Sequence, residues 1–297
     1  MWMRMSYAQY EKEHRKLLKK IPSKRIYAYM LSNLKASLAS IGFSEEFINF
    51  FTSNFSKLEF KEFYKKFEEE IKNVYSIGFF QKIVPDYFSK EVIPHIPKSN
   101  KILDIGCGTG ILIHRLAHKK KFKKLVGIDI HEYPEWRHFK SSKAQFKIVK
   151  ETAFRAFLKK TQPDNLLLTW TLHHMNYNEQ ARYLSNTYSL MKTGSRMIIL
   201  EDSYAENLSP RSGKNTYASF MKLSTSERKV VMSTYDWIAN RILARRKNVP
   251  IPFGYRTLEE WENLCKAIGY KIVKKVFIGF PANRDINTPQ SLLIAEK

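Results

Sequence analysis

Between Lys101 and Glu296 short runs of Val, Ile and Leu alternate with longer helical stretches. The runs are KILDIG (101–106), LVGIDI (125–130), QFKIV (145–149), NLLLTW (165–170), RMIILED (196–202), KIVKKVFIG (271–279) and SLLIAE (291–296). Half-solvated strands would alternate apolar and polar residues. Nearly continuous apolar runs separated by helices fit strands buried on both faces of a sheet. The expected class is α/β, with a seven-stranded, mostly parallel, doubly wound sheet. The last two runs are joined by FPANRDINTPQ, short enough for an antiparallel return.

The chain before this alternation reads differently. Phe47, Phe50, Phe51 and Phe55, then Phe60, Phe63, Tyr64 and Phe67, recur at helical spacing between charges, and Pro22 is the one proline before residue 76. Residues 1–76 are therefore expected to form a cap of three or four helices. A further helix from about Val74 to Val92 should end at PHIP, and 77–297 form the sheet domain. After the fifth run, residues 203–255 intervene before TLEEWENLCKAIGY, as a helical insertion. On one of its helices Asp236, Trp237, Asn240 and Arg241 should line up in two neighbouring columns. Thr257 and Glu260 have the spacing of a capping box.

Composition narrows the setting. A chain of 297 residues, 43% hydrophobic, can bury a full core. No run approaches the length of a membrane span, and the first residues lack the apolar core of a secretion signal. Two cysteines build neither a disulfide framework nor a four-ligand zinc site, which fits a reducing, cytoplasmic setting. The formal charge of +23 raises the question of a nucleic-acid partner. The excess is spread along the chain, however, and lysine outnumbers arginine, whereas specific reading favours the arginine fork. Nucleic acid is thus an open but not favoured partner, and HKKKFKK (118–124) reads as a solvated turn.

The first strand run continues into Asp104-x-Gly106-x-Gly108-x-Gly110. A dinucleotide fingerprint would place glycine at position 111, where Ile stands. With a second acid, Asp129, closing the second run, the pattern resembles the first two motifs of the class I, Rossmann-like S-adenosylmethionine-dependent methyltransferases. The resemblance spans roughly residues 78–297. It implies S-adenosylmethionine as cofactor, with its amino-acid part along Gly106, Cys107, Gly108 and Gly110. Asp104 would orient the loop or take the ammonium group, and Asp129 would accept from the ribose hydroxyls. It also implies Ile130 as cover for the adenine and Trp170 among the cofactor contacts. Glu151 stands where the family commonly has an aspartate facing the adenine amino group.

On the acceptor side, TWTLHHMN (169–176) resembles the LHH segment of methyltransferases acting on small molecules. The Asn/Asp-Pro-Pro-aromatic run of amino-methylating DNA enzymes and the Pro-Cys of cytosine-C5 enzymes are missing there. His173 and His174 are candidate proton acceptors, or packed and capping residues opening a helix. Tyr204, Tyr235, Trp237 and Arg241 are candidates for the wall of an acceptor pocket under a lid, or glue between helices and sheet. Glu201 and Asp202 lack a third nearby ligand, and no metal site is read. The expected activity is methyl transfer to an oxygen, nitrogen or carbon of a small-molecule acceptor. RNA or protein methylation, or a non-catalytic binding subunit, are the alternatives.

Overall fold

A computed structural model describes residues 6–247, 249–252, 254–281 and 288–297. Four helices come first: α1 (Tyr7–Leu18), α2 (Lys24–Ile41), α3 (Glu45–Asn54) and α4 (Phe60–Glu70). The helical path then continues through a π-wound stretch, Ile71–Ile83, α5 (Val84–Tyr87) and a second π-wound stretch, Phe88–Val92. There follow β1 (Ser99–Ile105), α6 (Ile111–Ala117), β2 (Phe122–Asp129), β3 (Ala144–Ile148), α7 (Glu151–Thr161) and β4 (Asn165–Thr169). Then come α8 (Tyr177–Leu190), β5 (Arg196–Asp202), α9 (Lys214–Met221), α10 (Thr225–Trp237), α11 (Leu258–Ile268), β6 (Lys271–Gly279) and β7 (Gln290–Glu296).

The chain divides into two compact units. One comprises residues 1–84, 212–251 and 280–289; the other comprises 85–211, 252–279 and 290–297. Two sequence expectations change here. The helix expected from Val74 has no start there, because winding is unbroken from Phe60, and the boundary falls at Val84/Pro85 rather than 76/77. Residues 212–251 of the insertion pack with the N-terminal helices instead of forming part of the sheet unit.

The helical unit is held by an aromatic core. Phe47, Phe51, Phe55, Phe60 and Phe63 have no exposed surface, and the Phe47 ring contacts those of Phe43, Phe51, Phe63 and Phe67 at 4.1–5.8 Å. Such rings dominate core energetics, at about 1.5–3 kcal/mol for each Phe fully buried. Side-chain oxygens start the helices: Ser6 caps α1 and Ser224 caps α10, each in a reciprocal capping box.

In the sheet unit the strand order is β3-β2-β1-β4-β5-β7-β6. The pairs from β3 to β5 are parallel, and β7 runs antiparallel to both its neighbours. The expected seven-stranded, doubly wound sheet is formed. Burial on both faces holds for its centre, where β4 and most of β5 are wholly buried. It fails for β3 and for the first half of β6, because these are the edges. The Thr257 box forms, with the Glu260 amide donating to Oγ1 at 3.1 Å. The order in which strands are added reverses between the parallel β1 and β4, so the crevice lies outside the carboxyl ends of these two strands.

Candidate active site

The glycine loop leaves β1 with left-handed backbone at all three glycines, φ being 68°, 53° and 83° for Gly106, Gly108 and Gly110. The amides of Gly106 and Cys107 donate to the Ile128 carbonyl at 2.9 and 3.0 Å, which fastens the loop to β2. A Cβ on Gly106 would stand 2.6 Å from Thr171 Oγ1, and one on Gly110 would stand 2.5 Å from the Phe146 ring. At Gly108 the nearest heavy atom would be a Tyr133 ring carbon at 4.0 Å. The chain's own side chains thus demand two of the glycines, and the third opens on space.

Asp129 reaches back to this loop. The Gly108 amide donates to Oδ2 at 3.0 Å and the His131 amide to Oδ1 at 3.1 Å. Each oxygen keeps a second lone pair for a hydroxyl donor. Asp104 is buried, and neither of its carboxylate oxygens meets a donor among the described residues. Loss of solvent, and then the charge of Asp129, hold this carboxyl well above the usual range. Burial, followed by the charges of Asp104 and Asp129, likewise pushes up the Cys107 thiol.

Ile130 is 54% exposed at the end of β2. Ile148, 53% exposed, pairs in register with Asp129 and adds a second open apolar surface. Trp136 is a site residue the sequence reading missed. Its indole N–H donates to the Gly108 carbonyl at 2.8 Å, and its ring stacks on Phe146 at 5.2 Å. The signal was present in EYPEW, a proline and two aromatics directly after the acid. Glu151 opens α7 and pairs with Arg182 of α8 at 3.1 Å, both largely exposed. Its contact is therefore an ion pair between helices, different from the role the resemblance implies.

The exit from β4 is strained and heavily braced. Trp170 has φ 50°, a region costly for a bulky residue. Its amide donates to the Leu200 carbonyl at 2.8 Å and its indole N–H to Gln290 Oε1 at 2.5 Å. The ring packs on Tyr87 and Phe88 at 5.7 and 5.1 Å. The Gln290 amide group in turn donates to Asp202. Because a carboxylate only accepts, this fixes which end of the Gln290 amide faces Trp170.

Immediately beyond, the buried Glu201 gathers three donors. The amides of Thr171 and Leu172 reach Oε1 at 2.9 and 2.6 Å, and His173 Nδ1 lies 2.5 Å from Oε2. His173 is 3% exposed, and its ring lies over Tyr255 at 5.7 Å and beside His174 at 4.1 Å. Gln180 braces the far side, its amide nitrogen reaching the carbonyls of Leu172, Met175 and Gly254. Glu201 and Asp202, weighed in the sequence as metal ligands, thus have their carboxylates directed to loop amides, an imidazole and a glutamine.

A methyltransferase-domain family matches residues 79–275. The chain belongs to this family. It is an S-adenosylmethionine-dependent methyltransferase. Among solved structures, an S-adenosylmethionine-dependent methyltransferase from Archaeoglobus fulgidus is 17% identical, over 79% of this chain and 100% of that one, with a TM-score of 0.46. The 1,6-didemethyltoxoflavin-N1-methyltransferase of Burkholderia thailandensis, with bound 1,6-didemethyltoxoflavin and S-adenosylhomocysteine, is 13% identical over 80% and 86%, with a TM-score of 0.45. A family 2 O-methyltransferase from Planctomyces limnophilus in complex with apigenin is 16% identical over 77% and 61%, with a TM-score of 0.42. No curated protein matches the sequence.

The methyltransferase's loops suit this cofactor. An orphaned, buried carboxylate at Asp104 is what an ammonium group would neutralise, and the open side of Gly108 leaves room along the backbone. Asp129 has lone pairs for a ribose, and Ile130 and Ile148 offer apolar surface for a base. When bound, S-adenosylmethionine supplies an electrophilic methyl group on a sulfonium.

The remaining expected pocket residues divide between the two units. Tyr204 lies buried in the sheet unit, directly after β5. Tyr235, Trp237 and Arg241 lie in the helical unit and are buried there. Tyr235 donates to the Met30 carbonyl at 3.0 Å. The two expected columns are visible, since Asn240 meets Asp236 at 2.6 Å and Trp237 and Arg241 both reach Glu13, at 3.1 and 2.9 Å. Arg241 also donates to the carbonyls of Arg246 and Val249. Each of these contacts joins residues of the helical unit. Among the described residues no helix is long and apolar enough to cross a membrane.

Proposed function

We propose that this methyltransferase acts on an oxygen, nitrogen or carbon of a small-molecule acceptor, with His173 as the group that takes the acceptor's proton. The observation that carries the reading is the Glu201–His173 contact at the carboxyl end of β4. A carboxylate facing Nδ1 favours the proton on that nitrogen, the tautomer that a base acting through Nε2 requires. The residues' remaining work is alignment and exclusion of water, and effective positioning alone is worth several kcal/mol.

Incubation with methyl-labelled S-adenosylmethionine and a fractionated cell extract tests it. Label should enter the small-molecule fraction; label confined to RNA or protein overturns the proposal. The cofactor assignment has its own check. Replacing Asp129 by Ala should weaken S-adenosylmethionine binding by about 2–3 kcal/mol in calorimetry, the worth of one or two hydrogen bonds to a charged group. An unchanged affinity in a folded variant would remove the ribose role.

A further inference from the structure

The fold brings part of the charge that is spread along the sequence to one end of the sheet. A lysine stands shortly before each parallel strand at its amino end, in the entering loop or, for Lys160, in the last turn of α7. Exposed Lys98, Lys120, Lys140, Lys160 and Lys192 precede β1, β2, β3, β4 and β5, and exposed Lys271 opens β6. Register brings these entrances to one end of the sheet. Ser99 pairs with Phe122, Leu125 with Ala144, Asn165 with Arg196, and Arg196 and Lys271 both pair with Glu296.

Among the described residues of these loops and strand ends there are two acids, Asp164 and Glu296, and both have partners. Asp164 accepts from the amides of Asn100 and Lys101 at 2.8 Å each, and Glu296 pairs with Arg196 at 2.8 Å. Seven strands at about 4.8 Å spacing make a positive edge about 29 Å long. That length matches about eight phosphates of one strand at about 3.4 Å rise.

We propose that this end of the sheet binds the phosphate backbone of nucleic acid without regard to base sequence. Lysines act as point charges and lack the planar fork that reads base edges, so the face suits backbone contact. Among the described residues these loops expose no large apolar side chain and the start of β6 opens only Val273, whereas a bilayer-inserting face would need a cluster. Asp129 and the glycine loop sit at the opposite ends of the strands, so nucleic acid held here is a tether rather than the methyl acceptor. The inference stands independently of the acceptor's identity.

Fluorescence anisotropy with labelled RNA and DNA duplexes of about 30 base pairs, titrated across salt, tests it. The variant carrying Lys98→Gln, Lys120→Gln, Lys160→Gln and Lys192→Gln should lose at least about tenfold in affinity and lower the log–log salt slope by about 3.6. A control with Lys12→Gln, Lys16→Gln, Lys61→Gln and Lys65→Gln has the same net charge and should bind like the parent. Tighter binding of the RNA or of the DNA arm tells which nucleic acid the face prefers, and either supports it. Equal loss in both variants, no binding at about 50 mM salt, or tighter binding to anionic lipid vesicles than to either duplex overturns it. Calorimetry with S-adenosylmethionine on both variants shows that the sheet is intact.

Discussion

Replacing Glu201 by Ala is expected to destabilise the protein by about 3–5 kcal/mol, since three buried donors at about 1–3 kcal/mol each would be left unsatisfied. The cause is concrete. Two loop amides and His173 Nδ1 would lose their acceptor in a place water does not reach. Denaturant unfolding of the variant measures this, and parent-like stability would mean that water replaces the carboxylate.

The isosteric Glu201→Gln separates chemistry from folding. Its carbonyl oxygen can still receive the Thr171 and Leu172 amides, while its NH2 group would face His173 Nδ1 and require that nitrogen to accept. The proton then moves to Nε2, and the imidazole loses its basic nitrogen on the acceptor side. For an acceptor that must lose a proton, transfer should fall by about 10²–10⁴, with S-adenosylmethionine affinity little changed. A folded Gln variant with parental turnover would show that His173 only packs.

The second large effect is on stability against pH. His14 is 3% exposed in the helical unit, stacked on Trp237 at 5.3 Å and edge-on to Phe55 and Phe60. Burial lowers its pKa from 6.5 to about 4. The unfolded chain therefore takes up this proton first as pH falls. The neutral imidazole's contribution is whole above about pH 6.5 and shrinks as pH drops towards 4, by about 3 kcal/mol over that window. His14→Phe, which suits the aromatic surroundings, should flatten this part of the curve. Denaturant unfolding of parent and variant at about pH 7.5 and 4.5 checks it. Equal losses in both would exonerate His14.

These effects rest on residues that differ in how readable they were. RMIILED and KIVKKVFIG coincide with β5 and β6, and the Thr257 box forms, because both depend on local periodicity and capping. Asp129 was legible because a strand-end acid and a glycine loop are fixed relative to one another by adjacent parallel strands. Glu201 was visible only as a strand-end acid. Its role comes from pairing β5 with β4, a long-range contact with no local signature. The left-handed Trp170 was equally hidden, since its strain is supported by Leu200 and Gln290, far away in sequence. The pairing of Glu151 was not legible, because nothing in the sequence announces Arg182 as its neighbour. The insertion's allegiance to the N-terminal helices rests on pairs such as Glu13–Arg241, which no window of sequence contains.

That allegiance bears on how the protein can be taken apart. The backbone passes from one unit to the other at residues 84/85, 211/212, 251/252, 279/280 and 289/290. No single cut releases either unit as an intact piece. A truncation that removes the first helices strips α10 of Glu13, Met30 and the Phe60 ring, so it would report on a collapsing core rather than on catalysis. Grafting the helices onto another sheet by one crossover would fail for the same reason. The two units are thus interleaved along the chain, and neither can be exchanged as one contiguous segment.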